Sequence, residues 1–303
     1  MKKVALMGSH EESTSSLIRI FRSRHMLAAV CRKNPPVAGD GGDLHDVAER
    51  TLQDILQDPE IDALVASTPS DIGIELALRC LTAGKHLMMD HAFAPDGEGI
   101  REIEGLASTH RLVLMAGSPR LFHPLISRIK TLIDSKELGT VTGMSSIHLS
   151  RRYRTDALLR RAEEEVEIAT HLIGSKPLSL LTHTQGAPSC DETAMVETRA
   201  LFKSGLVHKC IVSGTLNSDE GYRLIVTGDK KMAVLDRQAQ KECLVIGEAL
   251  RESAALEQAS WTPVDDALML ESMCRSFIDR MEKAAIFNYR TISHISALKA
   301  ASV

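Results

Sequence analysis

The sequence predicts an α/β chain in two parts. A doubly wound parallel-sheet domain covers residues 1–120, and an α+β domain with an open antiparallel sheet covers 121–303. Three observations predict this. Short, wholly apolar runs alternate with helical periodicity through the first 120 residues. From residue 141 onward, strand-like runs follow one another with few helices between them. The chain has 303 residues, the length of about two domains.

The elements follow in order. Val4–Met7 is a short apolar strand ending at Gly8, and Ser13–Arg22 places Leu17, Ile20 and Phe21 on one helical face behind a Ser/Thr-rich start. Met26–Cys31 is a second strand. Lys33–Gly42 is rich in Pro and Gly and reads as loop. Arg50–Leu56 is helical, Ala63–Ala66 is a strand, and Ile72–Ala83 is a helix closed by Gly84 where a left-handed cap is wanted. His86–Met89 is a strand, Ile100–Ala107 a helix and Leu112–Ala116 a strand. Apolar strands separated by helices imply a parallel sheet covered on both faces, with ligands beyond the carboxyl ends of its strands. Those tips are Gly8, Arg32, Thr68, Asp90 and Gly117.

In the second part, Pro124–Ile133 is an amphipathic helix. Strands are expected over Val141–Leu149, Leu178–Thr184, Ala194–Phe202, Val207–Val212, Tyr222–Thr227 and Met232–Leu235. Helices are expected over Glu163–Ile173, Asp265–Met281 and Ile292–Ala301.

Composition narrows the partners. With 44% hydrophobic and 25% charged residues the chain is ordinary globular material. A net charge of −4 without a basic block argues against nucleic acid, and 3% aromatics against a base-stacking platform. No run approaches the ~18 apolar residues of a membrane span, and the N-terminal apolar run is too short for a signal peptide. The expected compartment is the cytoplasm. The six cysteines lack C-x-x-C spacing and read as buried free thiols. His208 and Cys210 alternate on one strand face, but two ligands do not make a metal site, and no metal is expected.

A doubly wound dinucleotide domain wants G-x-G-x-x-G after its first strand, so that the backbone approaches the pyrophosphate at a helix N-terminus. Gly8-Ser9-His10-Glu11-Glu12-Ser13 keeps the first glycine alone. His10 takes space the pyrophosphate uses. The two glutamates repel a dianion by about 1–4 kcal/mol at effective dielectrics of about 80 to 20, although they suit a helix start. At the second tip, Cys31-Arg32-Lys33 replaces the acidic residue that binds ribose hydroxyls. Arg32 suits a 2′-phosphate and so favours NADP(H) over NAD(H).

Several stretches resemble one family in the right order. They are Asp58–Pro69, ending in Ser67-Thr68-Pro69; Glu75–His86, ending in Ala-Gly-Lys-His; Leu114–Pro124; and Ile133-Asp-Ser-Lys-Glu-Leu-Gly139. Each is similar to a segment of the glucose–fructose oxidoreductase/inositol dehydrogenase family. The resemblance implies a Rossmann domain plus an open-faced sheet that often forms the oligomer interface. It further implies oxidation or reduction of a sugar, cyclitol or related small molecule with NAD or NADP. In the family, Glu-Lys-Pro follows the Ala-Gly-Lys-His strand. Here the triplet is Asp90-His91-Ala92, which keeps a carboxylate and substitutes one proton carrier for another. Glu167-Ile-Ala-Thr-His171 resembles the family's Asp-x-Gly-x-His on the helix facing the substrate, and the glycine-rich turn usual before it is replaced by Arg160–Glu165.

The implied oxidoreductase uses His91 and His171 as acid–base groups, with Asp90 orienting His91. Glu167 and Arg120 lie toward substrate, while Gly8, Ser9, His10, Arg32, Thr68 and Pro69 line the cofactor. Arg120 either positions the cleft or pairs with a carboxylate, and His123 is structural. The eroded loop keeps a rival open: an inactive or redox-neutral member that binds no dinucleotide and serves as a ligand- or partner-binding subunit. A homodimer or higher homo-oligomer through the second-domain sheet is expected in either case.

Overall fold

The computed structural model describes residues 2–8, 11–32, 47–67, 73–90, 97–150, 155–186, 193–214, 220–239, 241–247, 261–263, 266–284 and 292–293. The first half runs β1 (Val4–Gly8), α1 (Glu11–Ser23), β2 (Leu27–Arg32), β3 (Ala48–Glu49), α2 (Leu52–Gln57), β4 (Ala63–Ser67), α3 (Gly73–Thr82), β5 (His86–Met89), α4 (Gly97–His110) and β6 (Leu114–Ala116). Then come α5 (Pro124–Asp134), β7 (Val141–Ser150), α6 (Thr155–Ile173), β8 (Pro177–Gly186), β9 (Thr193–Phe202), β10 (Val207–Gly214), β11 (Gly221–Gly228), β12 (Met232–Gln238), β13 (Lys241–Gly247), β14 (Thr262–Pro263), α7 (Asp266–Ala284) and β15 (Ile292–Ser293). The chain divides into two compact units, Met1–Pro119 with Ala267–Ile295, and a second built on Arg120–Asp266. The first unit takes in the C-terminal helix α7 from Ala267 onward.

The first unit is a seven-stranded parallel sheet in the order β15-β6-β5-β4-β1-β2-β3. Apolar runs make it because both faces are covered. Ala5, Leu64 and Leu87 pack in one cluster with Ile55 of α2, Leu76 and Cys80 of α3, and Ile103 of α4. Gly84 closes α3 at φ 73°, with Lys85 N–H donating to the Cys80 carbonyl, so the expected left-handed cap is present. The ammonium of buried Lys85 donates to the carbonyls of Asp58 and Ile61, each at 2.6 Å. Ile292–Ser293 pairs with β6 as a strand, which corrects the expected helix there. The two residues extend the parallel edge beside Met115 and Ala116, and the rest of that expected helix lies outside the described residues.

The second unit is an eight-stranded sheet in the order β14-β13-β12-β11-β7-β10-β9-β8. It is antiparallel except that β7 and β10 run parallel, a consequence of the α6–β8–β9 excursion between them. Its pleat sends Met144, Ala200, Leu224 and Val226 into a core with Ile129 and Leu132 of α5 and Ala169 and Leu172 of α6. The opposite face leaves Ile147, Leu181, Leu201 and Val207 exposed. Among the described residues no helix is long and apolar enough to cross a membrane.

Gly228 sits where β11 passes the end of the α5 segment. A Cβ there would fall against the Leu138 carbonyl, inside contact distance, whereas one at Gly221 would meet nothing closer than 3.7 Å. Gly228→Ala should therefore cost about 1–3 kcal/mol. Urea denaturation beside Gly221→Ala checks this, and equal midpoints would refute it.

Candidate functional site

The strand order of the first unit reverses between β1 and β4, and ligands of such sheets bind at that switch point. The register aligns the tips there. Gly8 is opposite Arg32 on one side and Ser67 on the other. Ala66 pairs with Met89, so Asp90 follows directly beside Ser67. The Ser67 hydroxyl donates to Asp90 Oδ2 at 2.7 Å. Arg32, Gly8, Ser67 and Asp90 thus form one row along the carboxyl edge. The row gathers three of the residues expected there and adds Ser67. Ser9, His10, Thr68, Pro69 and His91 lie outside the described residues.

These tips fit an extended dinucleotide. Gly8 ends β1 without a side chain and α1 starts three residues later, at Glu11, and helix N-termini offer N–H groups to phosphates. A basic residue ends β2, and a hydroxyl–carboxylate pair, its Ser67 buried and its Asp90 half-buried, ends β4 and begins the segment after β5.

The second unit holds the other candidates on α6. This helix is eight residues longer at its start than the expected Glu163–Ile173. Arg160–Glu165 continues it because Arg, Ala and Glu are good helix formers. The extension carries Leu158 and Ala162 onto a buried stripe with Glu165, Ala169 and Leu172, with a carboxylate at its centre. Glu165 is 0% exposed and receives an ion pair from Arg120 at 2.6 Å, with the Tyr222 hydroxyl donating to its other oxygen at 3.1 Å. Glu164 lies 3.5 Å from the same guanidinium, which also stacks 4.5 Å above the Tyr222 ring. Burial works against the Arg120 charge, but Glu165, Tyr222 and Glu164 together hold its pKa above the usual value. Burial and then Glu165 push the Tyr222 phenol well up, so it stays a donor. Of the two roles open to Arg120, pairing with a carboxylate is what the structure displays.

His148, tilted 51° against the Tyr222 ring, is pushed down to about 2 by burial and then by Arg161, Arg120 and Arg237. Glu167 is buried on α6 and His171 half-buried one turn later. Burial and then Lys130 lower the His171 pKa, against the pull of Asp134, so its imidazole is neutral near pH 7.

His208 and Cys210 do share one strand face. His208 Nε2 lies 3.1 Å from the Ser146 hydroxyl, and burial keeps the Cys210 thiol protonated. Among the described residues no group of three or more His, Cys, Asp or Glu is placed to hold a metal ion. The five cysteines among them are buried free thiols. His123 caps α5 through Leu125 N–H and pairs with Glu242 at 2.9 Å, a structural role.

Sequence reasoning missed Ser67, Glu165, Tyr222 and His148. Glu165 alone left a signal, since it falls on one helical face with Ala169 and Leu172.

A family model described as oxidoreductase family, NAD-binding Rossmann fold, matches residues 3–118. Inositol 2-dehydrogenase 2 of Saccharopolyspora erythraea is 26% identical over 153 residues, 48% of this chain and 45% of that protein. The match therefore spans less than half of that relative's length. Among solved structures, GenD2 from gentamicin A biosynthesis, in complex with NAD, superposes with a TM-score of 0.73 at 17% identity, covering 97% of this chain and 88% of the other. KijD10, a 3-ketoreductase from Actinomadura kijaniata in complex with NADP and TDP-benzene, does so at 0.72 and 14%, covering 93% and 90%. At these identities the superpositions show a shared fold. Residues 3–118 thus match the NAD-binding Rossmann-fold model of an oxidoreductase family, and the fold shared with GenD2 and KijD10 extends over nearly the whole length of the chain.

Proposed function

We propose that this chain is an NAD(P)-dependent oxidoreductase that acts on a carbon–oxygen centre of a small polar, sugar-like substrate, with NADP(H) preferred. The observation that carries the reading is the row of strand tips at the switch point, Arg32, Gly8, Ser67 and Asp90. A bound coenzyme supplies the hydride acceptor or donor. The protein's part is to place it and to manage the proton. Gly8, Ser9, His10, Thr68 and Pro69 line the coenzyme, and Arg32 answers a 2′-phosphate. His91 and His171 are the proton-transfer groups, with Asp90 orienting His91. His171, neutral near pH 7, is in the state to accept a hydroxyl proton. Glu167 lies toward substrate, and Arg120 acts on that side by holding α6 through Glu165. The sugar-like substrate class is supported by relatives named as inositol dehydrogenases.

Titration with NADPH and NADH, followed by coenzyme fluorescence, tests the reading. Saturable NADPH binding in the micromolar range, tighter than NADH, is the expected result. An absence of binding by either at millimolar concentration would refute it. The exposed apolar face of the second sheet supports a homodimer or higher homo-oligomer, and a sedimentation profile of monomer alone would contradict that part.

A further inference from the structure

We infer that Ser67 is a positioning residue for the Asp90 carboxylate at the reacting edge of the first unit, an inference that rests on the oxidoreductase reading of that edge. Ser67 is the last residue of β4 and 2% exposed. Its neighbours Leu64, Val65 and Ala66 are apolar, so its hydroxyl is the polar group of a strand that otherwise only packs. A buried hydroxyl needs a partner, and this one donates to a carboxylate 23 residues away in sequence.

The consequences fall on Asp90. It stands just past β5, where ladder pairing ends. A charge-assisted hydrogen bond of 2.7 Å from Ser67 constrains its side-chain torsions and favours the ionised form. The group so held directly precedes His91, and its strand is two positions from β1, whose tip Gly8 is in register with Ser67. Cys274 of α7 also faces Asp90. Its thiol is pushed up to about 12, mainly by burial, and so adds no charge at neutral pH. Arg24 and Glu271, 3.7 Å apart, also act on that thiol. Ser67 thus supplies a short-range preference for a carboxylate in one orientation, where a strand of apolar residues alone would favour its protonation.

The test is carboxyl carbon NMR on the ligand-free protein, with the Asp90 resonance assigned by its loss in Asp90→Asn. In Ser67→Ala the Asp90 pKa should rise by about one unit, and Ser67→Thr, which keeps the hydroxyl, should restore it. Saturating NADPH should also shift the Asp90 resonance of the wild-type protein. An unchanged Asp90 titration in Ser67→Ala would overturn the inference, as would an Asp90 signal indifferent to bound NADPH. If fluorescence shows that the wild-type protein takes up no NADPH, the oxidoreductase reading fails, while the Ser67→Ala titration still decides whether this hydroxyl holds the carboxylate.

Discussion

Arg120→Ala should lower the unfolding free energy of the second unit by about 3–5 kcal/mol. The substitution leaves Glu165, with no solvent exposure, as a buried charge without its cation. The Tyr222 hydroxyl still donates to that carboxylate, but one neutral hydrogen bond does not replace an ion pair. The lost stacking of the guanidinium on Tyr222 adds about 0.5–2 kcal/mol. Removing both charges has a different expected outcome. Arg120→Met with Glu165→Leu fills the same space with apolar atoms and should lie within about 1 kcal/mol of wild type, because the desolvation of two ions disappears with their attraction. Denaturant unfolding of the two single variants and the double variant forms a cycle that isolates the coupling. A cost below about 1 kcal/mol for Arg120→Ala would mean that water reaches the pair. The double variant also separates stability from function. If the pair serves to hold α6 in place for Glu167 and His171, turnover falls even where stability returns.

The first unit was legible because its strands are covered on both faces. His86–Met89 is buried at every position, so hydropathy alone finds its ends. The tips Gly8, Arg32 and Asp90 followed from the rule that such sheets bind ligands at their carboxyl edge. What escaped had weak or borrowed signals. β3 is two exposed residues, Ala48 and Glu49, held only by pairing with β2. β13 opens on Lys241-Glu242, which hides Cys243–Ile246 from a search for apolar runs. The parallel pairing of β7 with β10 is a long-range choice that no local window contains. In the site, Ser67 carries neither charge nor motif, and its partner is remote in sequence. Arg160–Glu165 stands where a glycine-rich turn is usual, and the expected helix begins at Glu163. Only its extension back to Thr155 brings Leu158 and Ala162 onto the face of Glu165 and Ala169 that packs.

Acid should destabilise the chain between pH 6.5 and about 4, with histidines as the cause. His86 accepts a hydrogen bond on Nδ1 from Val113 N–H at 2.8 Å, which requires the neutral ring. Its pKa is pushed down to about 4 by burial and then by Lys2, against the pull of Asp62. His208 is pushed to about 4 by burial, opposed by Glu165, and His148 to about 2. Each has a folded pKa below the unfolded value of 6.5, so below 6.5 the unfolded chain binds protons that the folded chain refuses. The stability these rings contribute is complete above 6.5 and is lost as pH falls toward the folded values. At pH 5 each ring costs on the order of 2 kcal/mol, and the slope is about 1.4 kcal/mol per pH unit per ring. The depressed carboxylates of Asp58 and Asp62 act in a lower window, losing their contribution only below their ordinary 3.8. Between 6.5 and 4 the buried imidazoles therefore set the loss, opposed by Glu163, whose pKa burial raises above 4.5. His86→Gln should remove about one proton from a linkage that His148, His208 and His171 also share, flattening stability against pH in urea titrations at pH 5 to 6.5. A wild-type stability that is flat over that range, or a His86→Gln slope equal to it, would show that these rings take up protons in the folded chain as readily as in the unfolded one.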